Sequence, residues 1–238
     1  MDEHVKRDAQ IFDANAAAYG SDVLHAIPKE LEELYQQDLE DVLGPFAKYK
    51  TVLEVGAGNG IFTRLLDKWG CHAIVGIDIS NRMLDAARAS LPHCTFKHIT
   101  KEAEPNLFPP TSFDLIISRQ LACHLIDPIA VFGCWKTWLK PDGRIVVIDG
   151  LWTRRDWGPP MSVVGALVDE RPLSCTQTSA TVSYLLERAN LAIEHRGLLE
   201  RVNEFAKEQF VIGQSREPIY RYVVVATARF GGLTVLFR

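Results

Sequence analysis

Short apolar runs alternate with amphipathic segments along most of the chain. Strands are predicted at 51–55, 73–78, 93–99, 113–118 and 145–149, and all of these except 93–99 are mostly apolar. Runs of this kind are typical of strands buried on both faces of a parallel sheet. The segments between most of these runs repeat apolar residues every three or four positions, which predicts helices. The alternation predicts an α/β fold, a doubly wound sheet with helices on both faces.

Two helices are predicted ahead of the first strand. One covers residues 4–18, where small residues surround Phe12, and Pro28 opens the other, which ends at Gly44. These boundaries divide the chain into an N-terminal helical segment over 1–45, a main domain over 46–230 and a tail over 231–238.

Residues 139–144, which contain Pro141 and Gly143, predict a tight turn ahead of the fifth strand. The pattern is irregular after that strand. Residues 150–177 have little periodicity and contain tryptophans and arginines, so this insertion is either a substrate lid or a packed surface segment. A helix is predicted over 179–190, followed by strands over 191–199 and 219–226. We expect a non-helical connection between these two strands.

Composition and charge exclude several classes of protein. The 238 residues are 47% hydrophobic, with a net charge of -4 and a pI near 6.0, so there is no basic field for nucleic acid. No apolar run is long enough to span a bilayer, and the N-terminus does not resemble a signal peptide, so we expect no membrane partner and a cytoplasmic location. The five cysteines are scattered singly, which predicts free thiols.

The most specific motif is Thr-Val-Leu-Glu-Val-Gly-Ala-Gly-Asn-Gly, at residues 51–60. A strand runs here into three glycines and then into a helical segment from Ile61. Glycine allows backbone conformations that a Cβ forbids and lets a ligand approach closely. Strand, glycine turn and helix start together predict a nucleotide-binding crevice.

Glu54 indicates which nucleotide this crevice binds. A carboxylate just before the turn would repel a dinucleotide's pyrophosphate. Ile61 also stands where the dinucleotide fingerprint has its last glycine. Both departures favour a ligand that is cationic near the turn and carries a ribose, and S-adenosylmethionine is such a molecule.

Asp78 is the predicted partner of the ribose. It ends the second predicted strand, 22 residues beyond Gly56, where an acid can accept both ribose hydroxyls. The alternative is that Asp78 caps the next helix, although Ser80 or Asn81 already supplies that cap.

Residues 53–60 resemble the first motif of the class I S-adenosylmethionine-dependent methyltransferases, and the resemblance extends over roughly residues 12–228. It implies a Rossmann-like seven-stranded sheet, mostly parallel with an antiparallel last strand. It also implies S-adenosylmethionine as cofactor, S-adenosylhomocysteine as product, and an N-terminal segment that folds as a helical lid over the cofactor. Tyr19 would be a lid residue, with plain packing as the alternative.

The resemblance also assigns the adenine end of the site. Met83 would lie near the adenine, Glu102 would accept its amino group, and Ala103 would donate its backbone N–H to the ring. Helix capping or surface charge is the competing account of Glu102. The full predicted cofactor set is Tyr19, Glu54, Gly56, Ala57, Gly58, Gly60, Asp78, Ile79, Met83, Glu102, Ala103, Ser118 and Arg119.

Residues 118–128 leave the fourth strand at the carboxyl edge of the sheet, where a doubly wound fold places its chemistry. They resemble Ser-Arg-His-x-x-x-x-Leu-x-Asp-Pro segments of small bacterial methyltransferases, with Gln120 in place of the histidine and His124 four residues later. His124 is a candidate general base, because imidazole titrates near neutrality, or else a helix-start histidine bonded to backbone. Gln120 is the second catalytic candidate, and Trp152 and Trp157 are candidate substrate contacts.

The sequence therefore predicts methyl transfer to an O or N atom of a small-molecule acceptor by a monomer or homodimer. We expect no metal, because no pair of acids and histidines has ligand spacing. Two alternatives use the same sheet. A non-catalytic module could hold S-adenosylmethionine for regulation or assembly, and an NAD-dependent oxidoreductase is disfavoured by Glu54 and Ile61.

Overall fold

The computed structural model of the protein describes residues 3–19, 27–153, 156, 171–175, 178–211 and 219–229. The helices are α1 (Glu3–Tyr19), α2 (Lys29–Leu43), α3 (Ile61–Lys68), α4 (Asn81–Ser90), α5 (Pro128–Trp138), α6 (Ser179–Arg188) and α7 (Glu200–Val211). The strands are β1 (Thr51–Val55), β2 (Ala73–Asp78), β3 (Thr95–His98), β4 (Phe113–Arg119), β5 (Leu139–Gly150), β6 (Leu191–Leu198) and β7 (Arg221–Ala228). Within these ranges no helix is both long and apolar enough to cross a membrane.

The seven strands form one sheet in the order β3-β2-β1-β4-β5-β7-β6. Strands β1 to β5 pair in parallel, and β7 lies antiparallel between β5 and β6. The predicted Rossmann-like sheet with an antiparallel last strand is therefore confirmed.

Both faces of the sheet are buried, because successive residues of a strand point to opposite sides. Val52 packs into a cluster with Leu39 of α2 and Leu65 of α3, whereas the next residue, Leu53, packs into a cluster with Trp135 of α5. This explains why the central strands are almost continuously apolar rather than alternating.

The connection between β6 and β7 corrects one prediction. We expected it to be non-helical, but α7 occupies Glu200–Val211. Its inward positions near the start are Val202 and the polar Asn203, so the apolar repeat that marks a helix is weak here. Asn203 exchanges two hydrogen bonds with the backbone of Arg221, at 2.7 and 2.8 Å, which joins α7 to the start of β7.

The fifth strand is also longer than predicted. Residues 139–144 were expected to form a tight turn ahead of the strand, whereas β5 begins at Leu139, which pairs with Phe113. The register then shifts between Phe113 and Leu115, so the segment that reads as a turn is an irregular start of β5.

Gly76 allows the glycine turn to pack against the sheet. A Cβ at this position would lie 2.7 Å from Phe96 Cδ1 and 2.8 Å from the Ala57 Cβ.

We expect Gly76→Ala to lower the free energy of unfolding by about 1–3 kcal/mol through overpacking. The matched control is Gly133→Ala within α5, where a Cβ meets nothing within 4 Å, and it should raise stability by up to about 1 kcal/mol. Urea unfolding measures both, and equal effects of the two substitutions would contradict this account.

Candidate active site

A crevice opens at the carboxyl edge of the sheet, over β1, β2 and β4. The predicted residues that line it are Glu54, Gly56, Ala57, Gly58, Asp78, Ile79, Met83, Glu102, Arg119, Gln120 and His124. Most of the residues predicted for donor binding and for chemistry therefore share one crevice.

The turn after β1 is built on left-handed backbone. Gly56, Gly58 and Gly60 have φ angles of +76°, +54° and +82°, a region that residues with a Cβ rarely adopt. A Cβ on Gly58 would meet nothing within 4 Å, so this glycine is required by its conformation and it leaves room beside the crevice. Gly60 does not line the crevice, and a Cβ there would press on Ala87 of α4.

Asp78 ends β2 and is half-buried beside the turn. One carboxylate oxygen accepts a hydrogen bond from the Gly58 amide at 2.8 Å, and the other accepts from the Ser80 amide at 2.8 Å. Burial raises the pKa of Asp78, and these amides oppose the rise. Ser80 caps α4, since its hydroxyl accepts from the Met83 amide, so Asp78 is not the helix cap.

Glu54 is fully buried at the end of β1. It accepts a hydrogen bond from the Thr63 hydroxyl at 2.5 Å. Burial raises the pKa of Glu54 from 4.5 to about 8, while the Thr63 bond and the nearby Arg119 lower it and Asp78 raises it. At neutral pH the carboxyl is therefore mostly protonated, and a cation placed beside it would favour the carboxylate.

Only some of the residues predicted to lie near the adenine line the crevice. Ile79 and Met83 line the crevice as apolar surface. Glu102 lines it too, and its carboxylate accepts from the Ile126 amide at 3.1 Å and the Asp127 amide at 3.4 Å, just before α5. Ala103 does not line the crevice and packs against the apolar core.

The end of β4 carries the candidate catalytic side chains. Gln120 is buried, lines the crevice and has a φ of +56°, a strained conformation for this residue that is common at functional sites. The His124 ring lies edge-on to Phe12 with 5.4 Å between centroids, and the Arg119 guanidinium lies 5.7 Å from the centre of the Tyr35 ring. Ser118 is fully buried and does not line the crevice.

Three other predicted contacts either do not line the crevice or lie outside the described residues. Trp152 is buried and does not line the crevice, and its indole N–H donates to Asp149 at 2.6 Å. Trp157 lies outside the described residues, and so does the side chain of Tyr19.

Helix α1 supplies residues of the crevice that the sequence did not indicate. Asp8 and Phe12 line it, and Asp8 forms a buried ion pair with Arg171 at 2.6 Å. Asp13 accepts from the Ser80 hydroxyl at 2.6 Å, so α1 is held against the start of α4. An acid on an amphipathic helix has no sequence signal of burial, because its partner lies far along the chain.

Three groups that can ligate a metal meet at the opposite edge of the sheet. Asp67, near the end of α3, lies with His93 and Cys94, just before β3, and their ligand atoms are within 4.8 Å of one another. The His93 Nε2 is 3.1 Å from an Asp67 carboxylate oxygen. Residues 26 positions apart show no ligand spacing in the sequence, and none of the three lines the crevice.

The sheet order and the acid-flanked glycine crevice define the class of protein. Both are those of the class I S-adenosylmethionine-dependent methyltransferases. The model of the methyltransferase-domain family matches residues 27–196, and the chain belongs to that family.

Relatives and solved structures agree with this family. Residues of the chain are 35% identical over 101 positions to phosphoethanolamine N-methyltransferase 1 of Arabidopsis thaliana, covering 41% of the chain and 20% of that protein. They are 32% identical over 129 positions to ubiquinone biosynthesis O-methyltransferase of Pasteurella multocida, covering 49% and 52%. The chain thus spans between a fifth and about half of these relatives' lengths.

The fold matches solved structures over nearly the whole chain. Geranyl diphosphate C-methyltransferase of Streptomyces coelicolor superposes with a TM-score of 0.65 and 15% identity, covering 96% of this chain and 100% of that one. A Mesorhizobium loti S-adenosylmethionine-dependent methyltransferase superposes with a TM-score of 0.59 and 20% identity, covering 82% and 97%. At these identities the likeness shows the fold alone.

The raised pKa of the buried Glu54 carboxyl predicts that donor binding is linked to proton release. Its pKa of about 8 exceeds its ordinary value, so the protein holds a proton at pH 6.5 that the donor's ammonium group would displace. We expect S-adenosylmethionine binding at pH 6.5 to release about one proton, measured by calorimetry in buffers of different ionisation enthalpy. The affinity should rise as the pH increases from 6 towards 8. Glu54→Gln should abolish the proton release, and wild-type binding without proton release would show that Glu54 is already ionised.

Asp78 should contribute most of the ribose affinity. We expect Asp78→Ala to weaken S-adenosylmethionine binding by about 10- to 100-fold, because charge-assisted hydrogen bonds are lost. Asp85→Ala is the control, since this acid lies exposed on α4 and pairs only with Arg88 among described residues. Calorimetric titration measures the affinity of each variant for S-adenosylmethionine. An unchanged affinity in Asp78→Ala would show that this residue does not belong to the site.

Proposed function

We propose that this chain transfers a methyl group from S-adenosylmethionine to an O or N atom of a small-molecule acceptor, without a metal. The observation that carries the proposal is that one crevice holds the acids suited to the donor, Glu54 and Asp78, beside the polar side chains Gln120 and His124.

The residues of the crevice fit the donor group by group. Asp78 offers a carboxylate that still has lone pairs for ribose hydroxyls after accepting two amide hydrogen bonds. Glu54 offers a buried carboxyl for the ammonium group, and Arg119 lines the same end of the crevice. Ile79 and Met83 offer an apolar surface for the base. A dinucleotide would place its pyrophosphate against Glu54, which argues against the oxidoreductase.

The bound donor supplies a methyl group that its sulfonium charge has already activated. The protein then has to align the acceptor and exclude water, and both contribute to the rate by positioning. His124 is the residue we assign to accept a proton when the acceptor must lose one. Gln120 is assigned to orient the acceptor, and its backbone N–H donates to the Ile148 carbonyl at 2.8 Å, which fixes the backbone of this residue at the end of β4.

We assign the exclusion of water to α1, the first part of the helical lid. Phe12 and Asp8 line the crevice from this helix, and Asp13 fastens it to the start of α4 through Ser80 and the Arg82 amide. In this arrangement Phe12 and Asp8 form part of the crevice wall, and the bonds of Asp13 hold the helix in place.

The relatives make a small-molecule acceptor reasonable. The Arabidopsis relative is named for phosphoethanolamine and the Pasteurella relative for ubiquinone biosynthesis, so related domains serve both N- and O-methylation. Release of S-adenosylhomocysteine with a panel of small acceptors tests the proposal. Tight donor binding without release would favour the non-catalytic module, and tight NAD binding without donor binding would favour the oxidoreductase.

His124 should affect turnover more than donor affinity. With an acceptor found in the panel, we expect His124→Gln to lower kcat by about 100-fold or more, as the loss of a general base does. The donor Kd should change less than about threefold, because the proposed donor contacts lie elsewhere. His72→Gln, an exposed histidine that contacts Lys50, is the control. A weakened donor Kd with normal kcat would make His124 a structural residue.

A further inference from the structure

The carboxyl edge of the sheet continues past the donor crevice to β5 and β7. Because β7 runs antiparallel, its first residue lies where β5 ends, and Arg221 pairs with Gly150. Burial lowers the pKa of Arg221, the positive charge of nearby Arg119 lowers it further, and Tyr35 and Asp149 oppose this. Arg221 does not itself line the crevice, but its guanidinium lies on Trp152, which packs against Cys123, the neighbour of the lining residue His124.

Arg221 is held in place but its side chain is not saturated with hydrogen bonds. The residue is 9% exposed, and among the described residues its Nη1 has no hydrogen-bond acceptor. The guanidinium carbon lies 4.9 Å from the centre of the Trp152 ring. A Cβ on Gly150 would lie within contact range of Nη1, so this glycine leaves the room that the guanidinium occupies. Asn203 fixes the backbone of Arg221 from both sides.

The nearby carboxylates leave some of these guanidinium donors without an acceptor. Asp149 accepts from the amides of Cys123 and Gly150 and from the Trp152 indole. Asp8 pairs through Oδ2 with Nη2 of Arg171, while Asp8 Oδ1 and the Nε and Nη1 of Arg171 have no hydrogen-bond partner among the described residues. A buried donor without an acceptor costs free energy, and an arginine keeps its charge even when it is buried.

Arg221 lies near Cys123, next to the catalytic candidates, because Trp152 packs against both residues. Burial raises the pKa of the Cys123 thiol, as does Asp149, whereas Arg171 and Arg221 lower it. Cys123 precedes His124 in the turn that lines the crevice. Guanidinium donors without an acceptor among the described residues therefore lie behind the part of the wall that carries the catalytic candidates.

We propose that Arg221, assisted by Arg171, binds an anionic group of the methyl acceptor, a carboxylate or a phosphate. A guanidinium offers parallel N–H donors that match the oxygens of either group. This inference rests on the proposed function, because it names the class of acceptor that the same site takes. Binding of the anion at the end of β7 leaves the remainder of the acceptor near Gln120 and His124.

Binding of simple anions tests this proposal without turnover. The protein is first saturated with S-adenosylhomocysteine, so that the donor's own carboxylate site is filled, and is then titrated calorimetrically with inorganic phosphate or with acetate at constant ionic strength. We expect one of the two anions to bind with a Kd in the millimolar range or below. The anion that binds at least tenfold more tightly identifies the acceptor's group as phosphate or carboxylate.

Three variants assign the site to Arg221. We expect Arg221→Gln to lower the affinity for the anion at least tenfold and Arg221→Lys to lower it less. The exposed control Arg88→Gln should leave the affinity for the anion unchanged. The affinity for S-adenosylhomocysteine should stay within twofold in all three, which also reports correct folding. If Arg221→Gln fails to bind S-adenosylhomocysteine, the anion affinity of Arg221→Lys is compared with that of the wild type instead, and a lower affinity in Arg221→Lys supports the proposal.

Three results would overturn the proposal. These are the absence of binding by both anions, equal anion affinity in the wild type and the Arg221 variants, and competition of the anion with S-adenosylhomocysteine, which would mean that the anion occupies the donor's carboxylate site. Anion binding by a protein that never releases S-adenosylhomocysteine would refute methyl transfer and leave the anion site standing.

Discussion

The hydrogen bond from the Gly58 amide to Asp78 joins the ends of two neighbouring strands, and the crevice depends on it. It requires left-handed backbone at the glycine turn, because only then does the amide point at the second strand. The other oxygen of the same carboxylate accepts from the Ser80 amide, where α4 begins. One acid thereby fixes the turn, the strand end and the helix start relative to one another.

Charge changes sign along the carboxyl edge of the sheet. Over β1 and β2 the groups facing the crevice are the carboxyls Glu54 and Asp78, whose pKa values burial raises. Over β4 the guanidinium group of Arg119 lines the crevice, and at the start of β7 that of Arg221 is buried behind it. The first half suits a cationic donor that carries a ribose, and the second half suits a ligand group of opposite sign. A single edge can in this way orient two substrates of different charge towards the polar side chains between them.

Sequence reasoning predicted most of this fold because the signals were local. The buried strands β1 and β2 were predicted to the residue, since each is an apolar run bounded by turn residues. The helix Glu200–Val211 was missed because its inward face is partly polar, through Asn203. The irregular start of β5 was read as a turn, because Pro141 and Gly143 are turn formers wherever they stand.

The contacts around the crevice also differ in how far apart in the sequence the contacting residues lie. The hydrogen bonds that shape the predicted donor end join residues close in sequence, with separations of nine positions for Glu54 and Thr63 and of twenty for Gly58 and Asp78. Motif spacing can record contacts of that length. The ion pair of Asp8 with Arg171 joins residues 163 positions apart, and the surroundings of Arg221 combine β7 with the end of β5. No spacing rule applies to such contacts, so only the folded chain shows them, because burial there reveals which polar groups lack a partner.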